Sequence, residues 1–308
     1  MKNHSSTRQR STMMAVVQTR AGSPDRLVLA EVPRPDPGPA EVLVRVHAAS
    51  VTRGDVVMRK MPRLVARLFG ETPKSIPGNE FAGQIEATGE QVTGFRVGDR
   101  VFGTTDGLAQ GSYAEYIALP ESAILTHIPP EVAYEDAAPI PVGAMTALHF
   151  LRAGQVASGE RILVNGASGS VGSYAVQIAK HLGAHVTGVA STSHLELVES
   201  LGADEVIDYT QQDFIERGQA YDVIFDAAGT TTPKKAARAL ERQGRFVTTQ
   251  TRRRENIQEL HAVRDMVASG AVKAVIDRSY TLDQMPEAHR HVETGRKRGN
   301  VVVLMSHR

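Results

Sequence analysis

Apolar and polar residues alternate along the first third of the chain and fall at helical spacing along much of the rest. Val42, Val44, Val46 and Ala48 interleave with Leu43, Arg45 and His47, which is the period of a strand with one buried face. Strands are also expected at Met13–Gln18, Leu27–Val32, Gln84–Val92, Asp99–Phe102 and Ser112–Ala118. A proline-rich turn spans Pro33 to Pro39, and Gly94, Gly98, Gly103 and Gly107 punctuate the later strands. Short strands with frequent glycine turns predict a compact β-rich domain.

From about Tyr134 strands and helices take turns. A strand at Ile162–Val164 leads through Asn165 to Gly172 into a helix whose Val171, Ala175, Ile178, Ala179 and Leu182 share one face, with Gly183 as its stop signal. The strand His185–Ala190 completes a βαβ unit. Strands are expected next at Glu205–Ile207, Asp222–Ala227 and Arg245–Thr249, with a helix over Pro233–Arg242. A helix over Asn256–Ser269, a strand near Ala274–Ile276, a helix over Leu282–Thr294 and a strand at Val301–Met305 close the chain. This order predicts an α/β fold, a doubly wound parallel sheet whose ligands bind at the carboxyl ends of the strands.

Gly166, Gly169 and Gly172 stand three apart at the first strand-to-helix turn. Backbone without side chains can approach a pyrophosphate there, while the N–H groups and positive dipole end of the helix stabilise its charge. A hydrolase nucleophile elbow, G-x-S-x-G, does not fit, because Ser170 stands where its last glycine belongs. The Tyr-x-x-x-Lys pair of short-chain dehydrogenases is absent too.

With 308 residues, 41% of them hydrophobic, the chain is long enough for two domains. Its 35 Lys and Arg nearly balance 34 Asp and Glu, which leaves no global field to attract nucleic acid or an anionic membrane. The runs Arg252–Arg254 and Arg296–Arg298 read as solvated loop charge. The absence of cysteine excludes disulfides, thiolate nucleophiles and cysteine-ligated zinc. No apolar run approaches membrane-spanning length, and Met1–Thr12 reads as a loose polar tail of a cytoplasmic protein.

Several motifs together resemble the medium-chain dehydrogenase/reductase superfamily, in its zinc-free, zeta-crystallin-like quinone oxidoreductase branch. They are Ala48-Ala49-Ser50-Val51 before Asp55, Ile76 to Gly83, Val97-Gly98-Asp99-Arg100-Val101, Gly111 to Tyr116, and Asn165 to Gly172. The resemblance implies a GroES-like β-barrel domain from residues 13–130 and 274–308, with a Rossmann domain at 131–273 between its parts. Zinc-dependent relatives place a cysteine and a histidine where Thr52 and Asn79 stand; Glu80 remains, and one carboxylate does not hold zinc. Thr52-Arg53 replaces an Asn-Pro common among relatives, and the family's extended loop and strand after Gly244–Val247 is shortened to Thr251–Arg254. That segment often pairs two subunits, so a homodimer is a possibility the shortening bears on.

The resemblance further implies an NADPH-dependent reductase of quinones or α,β-unsaturated carbonyls, with an enoyl-thioester reductase or a non-catalytic NADPH-binding protein as alternatives. Gly166, Ser168, Gly169, Ser170, Val171 and Gly172 would hold the pyrophosphate, with Thr146 beside the nicotinamide and Ala228 as a further cofactor-binding residue. The second strand ends in Ser191, Thr192 and Ser193 with no acid before Glu196, so hydroxyls rather than a carboxylate meet the ribose, which favours a 2′-phosphate unless they only cap the next helix. His194, Tyr209 and Arg298 are further candidates for that phosphate. Thr52 is the candidate for a hydrogen bond to the substrate oxygen, and Tyr113 lines the pocket or the core.

Overall fold

A computed structural model describes residues 11–61, 76–105, 110–251 and 254–306. Its antiparallel sheet is built on β3 (Glu41–Ser50), which pairs with β4 (Glu80–Thr88), β6 (Tyr116–Pro120) and, near its end, β14 (Asn300–Leu304). β5 (Arg100–Thr104) and β7 (Leu125–His127) extend the sheet beyond β4, while β13 (Ile276–Thr281) lies outside β14. The last two strands of the chain therefore sit in the sheet begun by its first third. β1 (Thr12–Gln18) and β2 (Leu27–Pro33) form a separate antiparallel pair. Register shifts at Leu43/Val44 and Val46/Ala48 break the simple alternation of β3, so Val42, Leu43 and Val44 are all buried.

The second sheet is wholly parallel, in the order β10 (Glu205–Asp208), β9 (His185–Ala190), β8 (Arg161–Asn165), β11 (Tyr221–Asp226), β12 (Leu240–Thr248). The chain moves outward from β8 on one side, then returns to build on the other, which leaves a crevice at the carboxyl ends of β8 and β11. This is the GroES-like plus Rossmann arrangement. One apolar cluster crosses the seam, joining Ala48, Ala82 and Phe102 of the antiparallel sheet to Ala144, Met145 and Leu148 of α3 (Ile140–Ala153) and to Val164 and Phe225 of the parallel one.

The structure redraws several elements. The helix expected over Pro233–Arg242 is a single turn, α6 (Pro233–Ala236), capped by Thr232; the chain then enters β12 at Leu240 because Tyr221 donates its N–H to the Ala239 carbonyl and pulls the segment into the sheet. β4 begins at Glu80 rather than Gln84, since Glu80 to Ala82 find partners in Thr104 to Phe102. β6 starts only at Tyr116, and β13 runs to Thr281, well past the strand expected near Ala274–Ile276. Thr12 is in β1, not in a tail, and residues 1–10 lie outside the described residues. α1 (Arg53–Lys60), which the apolar pattern does not announce, is set by a capping box between Thr52 and Asp55.

After β12 the described chain turns at Gln250 and reaches α7 (Ile257–Ala268), capped by the Asn256 side chain at 2.8 Å; Arg252 and Arg253 lie outside the described residues. Among those described, β12 has no outer neighbour. No described helix is long and apolar enough to cross a membrane.

Candidate active site

The loop between β8 and α4 (Ser170–His181) is held by its own backbone: Gly166 and Ala167 donate to the Val189 carbonyl at 3.1 and 3.0 Å, and Gly169 donates back to Gly166 at 3.1 Å. A Cβ on Gly172 would lie 2.0 Å from the Gly166 oxygen, so that glycine is fixed by close packing. Gly169, with an ordinary φ of −79°, would place a Cβ no nearer than 3.4 Å to anything in the protein. It is also the N-cap of α4 and gives the first-turn N–H groups no side-chain acceptor. That open space and those N–H groups suit an anion.

Ser168, Gly169, Ser170, Val171, Gly172 and Gly166 line a cleft of about 1500 Å³ between the two sheets. Ala228 lines it too, its N–H donating to the Asn165 carbonyl. Asn165 donates to Asp226 at 2.9 Å, and fully buried Asp226 accepts from the N–H groups of Gly229 and Thr231 at 3.0 and 2.8 Å, which fixes the turn after β11 beside the loop.

At the far end of the cleft stand Ser191, Ser193, His194 and exposed Tyr209. None of these hydroxyls caps the next helix, α5 (Leu195–Ser200). Thr192 differs from its neighbours: it is not part of the lining, and its hydroxyl donates to Asp208, whose carboxyl is held low by that bond and by those from Thr210 and Gln211. Arg298 is also off the lining, with its Nε 3.4 Å from Asp277.

The opposite wall carries Val51, Thr52, Asn79 and Gln110, with Val142 and Gly143 at the entry to α3. Thr52 is on the cleft, but its hydroxyl donates to Asp55 at 2.6 Å and accepts the Asp55 N–H at 3.1 Å; it is the N-cap of α1. Burial pushes the Asp55 carboxyl up, against the lowering effect of the Thr52 bonds. Tyr113 belongs to the core, fully buried, its hydroxyl donating to the Ser50 carbonyl at 3.2 Å. Thr146 lies a turn behind Val142 and donates to its carbonyl at 2.5 Å. Glu80 is buried under this wall, accepting from the Ser50 hydroxyl and from the Val142 N–H at 2.5 Å; burial raises it to about 8.

Sequence reasoning missed the third side. Gly295, Arg296, Lys297 and Asn300 line the cleft, because Gly299 donates to the Ser168 carbonyl at 2.8 Å and Ser170 donates to Asn300 at 2.6 Å. Only topology brings this basic run to the glycine loop; its spacing in the chain carries no such signal.

A family model described as an alcohol dehydrogenase GroES-like domain matches residues 38–130, and one described as a zinc-binding dehydrogenase matches residues 170–293. The 2-methylene-furan-3-one reductase of Solanum lycopersicum is 34% identical over 95% of this chain and 79% of its own length. The chloroplastic NADPH-dependent alkenal/one oxidoreductase of Arabidopsis thaliana is 32% identical over 94% and 79%. The solved quinone oxidoreductase from Coxiella burnetii superposes with a TM-score of 0.87 at 26% identity, over 96% of this chain and all of that one. The chain is a medium-chain dehydrogenase/reductase of the quinone oxidoreductase branch. It is thus an oxidoreductase that works with a nicotinamide cofactor, and the open Gly169 cradle at an uncapped helix N-terminus fits the dinucleotide's pyrophosphate.

The described residues do not fit zinc, which one family description names. The chain has no cysteine, the described residues contain no cluster of three or more metal-binding side chains, and the Glu80 carboxyl is engaged by Ser50 and Val142.

Proposed function

We propose that this dehydrogenase/reductase reduces quinones or α,β-unsaturated carbonyl compounds with NADPH and without a metal. The observation that carries this reading is the wall facing the glycine loop, where Val51, Asn79, Gln110 and Val142 present apolar and amide groups rather than a set of imidazole and thiolate ligands. When bound, the nicotinamide supplies the hydride. The loop from Gly166 to Gly172 and the turn at Ala228 hold and orient the dinucleotide, so positioning accounts for much of the acceleration. A conjugated acceptor suits this wall, because charge arriving at its electron-poor carbon delocalises onto oxygen, where an amide N–H or water can meet it. With the Thr52 hydroxyl committed to Asp55, the amide of Gln110 on the same wall is the better placed donor.

The NADPH preference is supported by Ser191, Ser193, His194 and Tyr209 around the adenosine end. Asp213, which also lines the cleft, is neutralised by Lys235 at 2.8 Å. The test is NADPH oxidation with a quinone, an enone and the matching saturated ketone, each with and without a chelator. The conjugated acceptors are expected to turn over and the ketone to lag far behind, unaffected by chelation. Equal turnover of the ketone, or loss of activity with the chelator, overturns the reading.

A further inference from the structure

The run Arg296-Lys297-Arg298 divides in space. Arg298 turns outward to Asp277, Arg296 stands exposed at the cleft mouth, and Lys297 points inward, part-buried, its ammonium donating to the Gly299 carbonyl. Among the described residues no carboxylate forms an ion pair with it. Glu80 from β4 and Asp277 from β13 are near enough to favour its charged form, but Glu80 is taken up by Ser50 and Val142, and Asp277 by His291 at 2.6 Å and by Arg298. Withdrawal from water outweighs both and lowers Lys297 to about 8. A cation whose one hydrogen-bond partner among the described residues is a backbone carbonyl, and which lines a large cleft, is set up for an anion.

The position of the arm says which anion. Gly299 bridges to Gly169 and donates to Ser168, so Lys297 is two residues from the strand of contacts that touches the glycine loop. That loop carries no cation, and the Ser170 hydroxyl is spent on Asn300. We propose that Lys297 is the counter-ion of the dinucleotide's pyrophosphate, its ammonium leaving the Gly299 carbonyl for a phosphate oxygen. This rests on the cofactor part of the proposed function and is independent of the acceptor.

Because the pyrophosphate is common to both cofactors, Lys297→Met should weaken NADPH and NADH alike, by about tenfold to a hundredfold, the size of a lost charge-assisted hydrogen bond. Lys297→Arg should restore most of the affinity. In the wild type, affinity should be highest while the ammonium is charged and fall as pH rises through about 8, and in Lys297→Arg that fall should shrink. Glu80 gains its charge over the same range, so the comparison is repeated in Glu80→Gln, where the lysine-dependent fall should persist. Since the chain has no tryptophan, dissociation constants are read from nicotinamide fluorescence or calorimetry, with no acceptor present. Wild-type binding left unchanged in Lys297→Met, or a loss confined to NADPH, overturns the proposal alone. A wild type that binds neither nucleotide overturns it together with the proposed function. Should Lys297→Met fail to fold, the wild-type pH dependence set against Lys297→Arg decides the matter by the same criteria.

Discussion

Gly169 and Gly172 are three residues apart in one turn, and the chain needs them for different reasons. A side chain on Gly172 has nowhere to go, with the Gly166 oxygen 2.0 Å from where its Cβ would lie. Gly172→Ala should therefore lower stability by several kcal/mol, at or beyond the usual 1–3 kcal/mol of overpacking (about 3 as a working figure), since backbone rather than a movable side chain must give way. Gly169→Ala meets nothing closer than 3.4 Å at a φ that alanine adopts freely, so thermal denaturation should shift by little. Its cost should appear in nucleotide affinity, as the methyl group takes space at the uncapped end of α4. A melting temperature for Gly169→Ala as low as that of Gly172→Ala would show that both glycines serve packing alone.

At the scale of elements, α3 starts without a cap of its own: Pro139 offers no side-chain bond, and the Val142 N–H is met instead by Glu80 from β4. A strand of one sheet thus caps a helix packed on the other, and it does so with a carboxyl that burial raises from 4.5 to about 8. The folded state holds that proton more tightly than the unfolded chain, so the stability it contributes is complete below about pH 4.5 and is lost as pH rises through about 8. A shift of this size corresponds to at most about 5 kcal/mol across the window. Glu80→Gln keeps an acceptor for Val142 and cannot ionise; its melting temperature should fall less than the wild type's between pH 6 and pH 9, and parallel curves would refute the coupling. Such a cap leaves no mark in the sequence, where Glu80 and Val142 stand far apart, whereas the caps of α1 and α7 come from Thr52 and Asn256 beside them. The same distinction governs the rest of the molecule. The turn from Gly166 to Gly172 was legible because its partners are local or on the adjacent strand. Lys297 and the committed hydroxyls of Thr52 and Thr192 were not, because each depends on which group the fold places opposite. The helix expected through Arg242 failed for that reason, its last residues being claimed by the edge of the parallel sheet.

For the whole molecule, the apolar cluster through Ala48, Phe102, Met145 and Phe225 makes the two sheets one packing unit, and α7 binds them further, with Glu259 on His149 at 2.9 Å and Arg264 on Thr126 at 3.4 Å. Glu255, just before α7, accepts from Thr104 at 2.6 Å across the same seam. A cleft between two so-joined halves binds its ligand only while both are folded, so nucleotide should raise a single cooperative unfolding transition rather than split it. At a hundred times its dissociation constant NADPH should add about 2.7 kcal/mol, which for a chain of this length is a shift of about 4 °C. If Ser191, Ser193, His194 and Tyr209 do meet a 2′-phosphate, NADH at the same concentration should give a smaller shift, by about 1.4 kcal/mol for each tenfold difference in affinity. Scanning calorimetry with the two nucleotides checks both statements at once. Two separate transitions would show that the seam is weaker than its shared core implies, and equal shifts would leave the hydroxyls at the end of β9 without a part in choosing the cofactor.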